Sequence, residues 1–151
     1  RSLAANVEHV IYDTNSLLTQ VCALGGADPS KWPRVSMDAK HVLRVATELS
    51  KTSLSHLVLP TVLTEVSYFI TTAPRHLQRQ LQDGLKRVAQ WPERWKGSAT
   101  LTADPYFRQL GLVDVDVLTH GDALVVSMDN LLINARWSLG RVTLDPRTVE
   151  L

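Results

Sequence analysis

The chain is 151 residues long, 44% hydrophobic and 21% charged, the balance of one globular domain, which excludes a disordered, collagenous or membrane-embedded chain. Sixteen basic against fifteen acidic side chains leave a net charge of +1, so no global field draws the chain to nucleic acid or to a lipid surface. No apolar run reaches the ~18 residues of a membrane helix and the opening residues lack the apolar centre of a secretion signal, while the lone Cys22 excludes an internal disulfide or a cysteine zinc site. A cytoplasmic protein without membrane association is expected, and residues 1–5, which open on Arg1 in place of Met, are expected to lie outside the fold.

Residues 9–13 (HVIYD) form an apolar run stopped by an acid and predict a buried strand. Thr14 and Asn15 then lead into a helix that carries Leu17, Leu18 and Val21 and ends at Gly25 and Gly26. Residues 27–34, with two prolines and Trp32, read as a loop, and residues 36–49 as a second helix with Met37, Val42, Leu43, Val45, Ala46 and Leu49 at helical spacing. Residues 56–59 (HLVL) predict a second strand, broken by Pro60 in the first turn of a helix through Val62, Leu63, Val66, Phe69 and Ile70. Pro74 opens an amphipathic helix with Leu77, Leu81, Leu85 and Val88 on one face, stopped by Trp91 and Pro92. Residues 99–102 read as a short strand, 114–120 as a short helix closed by Gly121, and 123–127 (ALVVS) as a fully apolar strand with Asp129 just past its end. Residues 130–139 predict a helix stopped by Gly140, and 141–144 (RVTL) a last strand. Apolar strands alternating with helices predict an α/β fold with a mostly parallel sheet between two helical layers, a three-layer α/β/α domain over residues 1–151.

In such sheets ligands bind beyond the carboxyl ends of the strands, and there this chain is rich in acids. Asp13 ends the first strand, Glu65 lies about one turn into the helix after the second, Asp114 opens the short helix and Asp129 follows the ALVVS strand. Four carboxylates in one pocket repel one another until a cation neutralises them. Ligation by oxygen alone selects Mg²⁺ or Mn²⁺ over zinc, and such ions activate water and stabilise a phosphodiester under attack. Taken singly, Asp13, Asp114 and Asp129 each also fit a plain helix N-cap. Glu65 is the more telling acid, because it shares a helix with Val62, Val66, Phe69 and Ile70 and no nearby Lys or Arg pairs with it.

Between residues 74 and 96 the basic side chains Arg75, Arg79, Lys86, Arg87, Arg94 and Lys96 are opposed only by Asp83 and Glu93, whereas residues 102–151 are acidic. Such a stretch fits a solvated helix face as well as a track for a phosphate backbone. Trp32, Trp91 and Trp95 are either packing anchors or platforms for stacked bases. Cys22 reads as core, and His9, His41, His56, His76 and His120 as surface or capping residues.

In order and spacing these segments resemble the PIN-domain family. VIYDTNSLL at 10–18 is similar to its opening strand with Asp and Asn, and VLPTVLTEVSYF at 58–69 to its strand and helix with an internal Glu. LGLVDVDVL at 110–118 resembles the segment of the third acid, and ALVVSMDNLL at 123–132 the strand that ends in Thr or Ser, any residue, then Asp; the resemblance runs from residue 8 to 146. It implies a three-layer core and a metal-dependent endoribonuclease acting on single-stranded RNA, in which a metal-activated water leaves a 5′ phosphate and a 3′ hydroxyl. Asp13, Glu65, Asp114 and Asp129 would hold Mg²⁺ or Mn²⁺, Asn15 and Ser127 would orient Asp13 and Asp129, and Arg75, Arg79, Lys86 and Arg87 would guide the RNA. Asp114 is preferred as third acid because Val117 and Leu118 follow it at three and four residues, with Asp116 as the alternative. The resemblance further implies a homodimer and, for the toxin of a toxin/antitoxin pair, a small inhibitory protein partner; an RNA-processing role fits equally.

Two other classes compete. A phosphohydrolase of haloacid dehalogenase type would have a second Asp where Asn15 stands, and a non-catalytic scaffold of PIN type would bind RNA or protein without needing all four acids. A receiver domain lacks its Lys in RVTLDP, and no Ser lies in a nucleophile elbow.

Overall fold

The computed structural model describes residues 7–150, so the expectation for residues 1–5 falls outside the described chain. Four strands, β1 (His9–Tyr12), β2 (Ser55–Leu57), β3 (Ala123–Val126) and β4 (Thr143–Leu144), form one sheet in the order β2-β1-β3-β4, with every pairing parallel. The register sets Ile11 opposite Leu57 on one side and opposite Val125 on the other. Val10, Ile11, Val125 and Val126 are buried, as strands covered on both faces require, and this is why their sequences are apolar throughout rather than alternating.

Helices α1 (Thr14–Gly25), α2 (Pro33–Ser36), α3 (Ala39–Ser50), α4 (Pro60–Thr71), α5 (Gln78–Val88), α6 (Ser98–Thr102), α7 (Phe107–Leu110), α8 (Leu112–Leu118) and α9 (Asn130–Ser138) complete a three-layer α/β/α fold. α1 is the most buried of them, packed against α3, α4 and α5, with Leu17, Leu18, Val21 and Cys22 in the core. Its close crossing with α5 depends on two glycines, since a Cβ on Gly25 would overlap the Gln80 carbonyl and one on Gly84 the Val21 carbonyl. Among the described residues no helix is long and apolar enough to cross a membrane.

Several local expectations are corrected. Residues 99–102 are helical, within α6. An extended segment there would need a neighbour for its backbone groups; just past β2 it is residue 93 that bridges to Val58. Residues 27–34 are not open loop: Asp28 caps a 3₁₀ turn (Pro29–Lys31), and Pro33 starts α2, each proline supplying the fixed φ of a first helical turn. α8 begins at Leu112, two residues before Asp114, because Gly111 with φ of 83° sets its start. His120 is not a surface residue; it is 2% exposed.

Arg136 is fully buried on α9 and ties α8, β3 and β4 together. Its guanidinium donates to the carbonyls of Val117, Leu118, His120, Ala123 and Val142 at 2.8–3.2 Å, and its Nε donates to Thr143 Oγ1 at 2.9 Å. Burial, and next the charge of Arg141, lower its pKa to about 10, which leaves it a cation at neutral pH.

Candidate metal centre

The first acid is placed by the end of β1. Asp13 N donates to Val126 O at 3.0 Å, continuing the ladder for one residue, and the side chain then caps α1 by accepting from Ser16 N at 3.0 Å. Its other oxygen accepts from Ser127 Oγ at 2.6 Å, and the same Ser127 oxygen accepts from Asp129 N at 3.0 Å. One buried hydroxyl therefore fixes both acids that follow the two central strands. Asp129 caps α9, with Oδ1 accepting from Leu131 N at 2.9 Å and Leu132 N at 3.3 Å. Capping is thus a real role of Asp13 and Asp129, and a carboxylate held by a cap still has lone pairs to offer.

Asp13, Glu65, Asp114 and Asp129 all line one open cleft of about 320 Å³, together with Asn15, Arg34 and Phe69. They come from β1, α4, α8 and the end of β3, elements far apart in the chain. Among the described residues none of the four acids has an ion-pair partner. Burial pushes Asp13 above the usual carboxylate range, against its bonds from Ser127 and Ser16 and with the charge of Asp129 adding to the rise. Asp114 is pushed up to about 7, first by burial and then by the charges of Asp129, Asp13 and Glu65. The carboxylates therefore feel one another, as like charges do in a partly dry site.

The remaining predicted residues divide. Ser127 touches both acids, but Asn15 is exposed and bonds to Arg34 (Nη1 to Oδ1, 3.5 Å) rather than to Asp13. Asp116, the alternative third acid, is 1% exposed and does not line the cleft; it accepts from Thr61 Oγ1 at 2.6 Å and meets His120 Nε2 at 3.2 Å. Arg75, Arg79, Lys86 and Arg87 are exposed, but none lines the cleft. Helix α5 crosses α1 at Val21 and Gly25, eight to twelve residues from the Asp13 cap, or ~12–18 Å along the helix. Trp32 is 3% exposed and is a packing residue, Trp91 packs against Tyr12 and His56, and Trp95 is 73% exposed.

Arg34 and Phe69 are members of the cleft that the sequence reading passed over. Phe69 lies one turn after Glu65 on the same helix, a spacing that marks it as a neighbour; Arg34 is brought in by a long-range contact, its Cζ 3.5 Å from the Phe69 ring centroid. Elsewhere, among the described residues, Glu8, His9 and Asp122 bring three ligand atoms within 4.8 Å of one another. That group mixes imidazole with carboxylate and its Asp122 is already ion-paired to Arg94 at 2.6 Å. Among the described residues no three of the cleft acids bring ligand atoms that close together, and they offer oxygen only, the donor type that a hard divalent cation takes.

Comparison with protein-family models, with curated proteins and with solved structures found no match to this chain.

Proposed function

We propose that this protein is a PIN-like metal-dependent endoribonuclease that hydrolyses phosphodiester bonds of single-stranded RNA. The observation that carries it is the convergence of Asp13, Glu65, Asp114 and Asp129 from four separate elements on one cleft, without ion-pair partners among the described residues. The order and spacing of the motifs around these acids, which resemble the PIN family, support the same reading.

In this proposal the four acids hold Mg²⁺ or Mn²⁺, which when bound would offset the charge of the phosphodiester and make water acidic enough to react near neutral pH. The chain's own residues do the positioning. Ser127 and the Ser16 N–H hold Asp13, and the first N–H groups of α9 hold Asp129, so that two of the ligands are fixed by backbone and sheet rather than by flexible loops. Burial and the neighbouring carboxylates raise Asp114 to about 7, so cation binding near neutral pH would be accompanied by proton release. A homodimer and a small antitoxin-like protein partner belong to the proposal through the family resemblance, and a cytoplasmic location through the single cysteine.

The test is cleavage of end-labelled single-stranded RNA in Mg²⁺, Mn²⁺ or EDTA by the native protein, Asp13→Asn and Glu65→Gln. The expected result is cutting that needs metal, leaves 5′ phosphates and is absent from both variants. Binding of RNA without cutting under every condition would replace the nuclease with a non-catalytic RNA-binding scaffold.

A further inference from the structure

Beside the acid cleft the structure sets a cation whose hydrogen-bonding capacity is largely unused. Arg34, in the short helix α2, is exposed, and among the described residues it has no carboxylate within ion-pair distance. A free guanidinium next to four carboxylates would ordinarily fold over and pair with one of them. Two contacts hold it off: its Cζ rests 3.5 Å from the Phe69 ring centroid, and its Nη1 donates to Asn15 Oδ1 at 3.5 Å. Phe69 is itself braced edge-on by Tyr68, with ring centroids 5.5 Å apart. Nε and Nη2 of Arg34 are left with no acceptor among the described residues. Arg34 also lies in two walls at once, lining the acid cleft and an adjoining polar groove of about 300 Å³ that shares Asn15 and Asp129 with it and reaches to Arg147. Arg147 differs, since the Asp145 carboxylate at 2.8 Å and the Asn130 side-chain Oδ1 at 3.1 Å already take its donors.

We propose that Arg34 is a phosphate-binding subsite, taking the backbone phosphate next to the bond that is cut and leading the RNA strand from the acid cleft into the adjoining groove. It rests on the nuclease reading above. A planar guanidinium matches two oxygens of a phosphodiester, and stacking on Phe69 fixes its plane before the strand arrives, so that little side-chain freedom is lost on binding. The subsite gives the strand a positive contact within the acidic surroundings, which the exposed basic residues of α5 do not reach.

The experiment is fluorescence anisotropy of a labelled, unstructured single-stranded RNA decamer with Ca²⁺ as the hard cation, the RNA checked on a gel for integrity, at several salt concentrations. Native protein is compared with Arg34→Ala, Arg34→Lys, Phe69→Leu and the double variant Arg79→Ala/Lys86→Ala. Arg34→Ala is expected to weaken binding about tenfold, with the slope of log K against log salt smaller by ~0.7, as for one lost phosphate contact on a single strand. Arg34→Lys is expected to keep the slope and lose part of the affinity, and Phe69→Leu to lose about threefold at unchanged slope. The double variant on α5 should stay within about twofold of native. Native-like binding by Arg34→Ala, or an equal loss in the α5 variant, overturns the subsite while leaving the nuclease standing. A native protein that neither binds nor cuts RNA overturns both.

Discussion

Arg136 and Asp114 are charges set into the same small domain, and their surroundings are opposite. Around Arg136 five carbonyls and one hydroxyl converge on a single guanidinium, all within 3.2 Å. Around Asp114 the charges that act on it are those of Asp129, Asp13 and Glu65, each of its own sign. The buried Asp116, held by Thr61 and His120, sides with Arg136. A charge that serves the fold is saturated with partners because an unpartnered buried charge is costly. A charge left short of partners and facing its own kind keeps that cost until something outside the chain removes it, which is the usual condition of a binding or catalytic site.

The comparison yields predictions of decreasing size. Asp13→Asn and Glu65→Gln are expected to lower RNA cleavage by on the order of 1,000-fold, with metal-free melting temperatures equal to or above native, since each removes a repelled charge and Asn keeps the α1 cap; single-turnover rates and thermal melts check both halves. Arg136→Met is expected to cost ~3–5 kcal/mol in urea unfolding, because the carbonyls that converge on the guanidinium lose their donor. Ser127→Ala, which frees Asp13 and Asp129 from their shared hydroxyl, is expected to weaken Mn²⁺ binding by ~10–100-fold in calorimetry.

The smallest effect is on pH. Asp114 has an ordinary value of 3.8 and is raised to about 7 in the fold, so its penalty on the folded state is full above pH 7, eases as pH falls through that value and is gone below the ordinary value. Asp13 is shifted the same way, while His56, held low by burial, opposes at more acidic pH. The metal-free melting temperature is therefore expected to rise by a few degrees between pH 8 and 6.5, and to rise less in Asp114→Asn.

The sheet and the acids were legible in the sequence because both are written locally. An apolar run ended by Asp is a strand with a capped helix behind it, whereas the preference for Asp114 over Asp116 came from the family resemblance; the structure sets Asp114 in the cleft and buries Asp116 outside it. Arg136 was not legible, since an Arg inside a helix pattern is normally solvated and its acceptors come from three other parts of the chain. Residues 99–102 misled because a short, Thr-containing stretch carries little local preference. Arg34 was hidden in a segment read as loop, with its partner Phe69 some thirty-five residues away. His120 looked like one of five scattered histidines until α8 placed Asp116 beside it.

The central claim, that the acid cleft is incomplete without a hard cation, is tested most directly by titrating Mn²⁺ and Mg²⁺ into metal-free native protein, Glu65→Gln and Asp114→Asn at pH 7 while following heat, proton release and melting temperature. The account predicts saturable binding to the native protein with release of protons and a rise in melting temperature, weaker binding to Glu65→Gln, and loss of the proton release in Asp114→Asn. An unchanged melting temperature in the native protein, or the same response from all three, would contradict it.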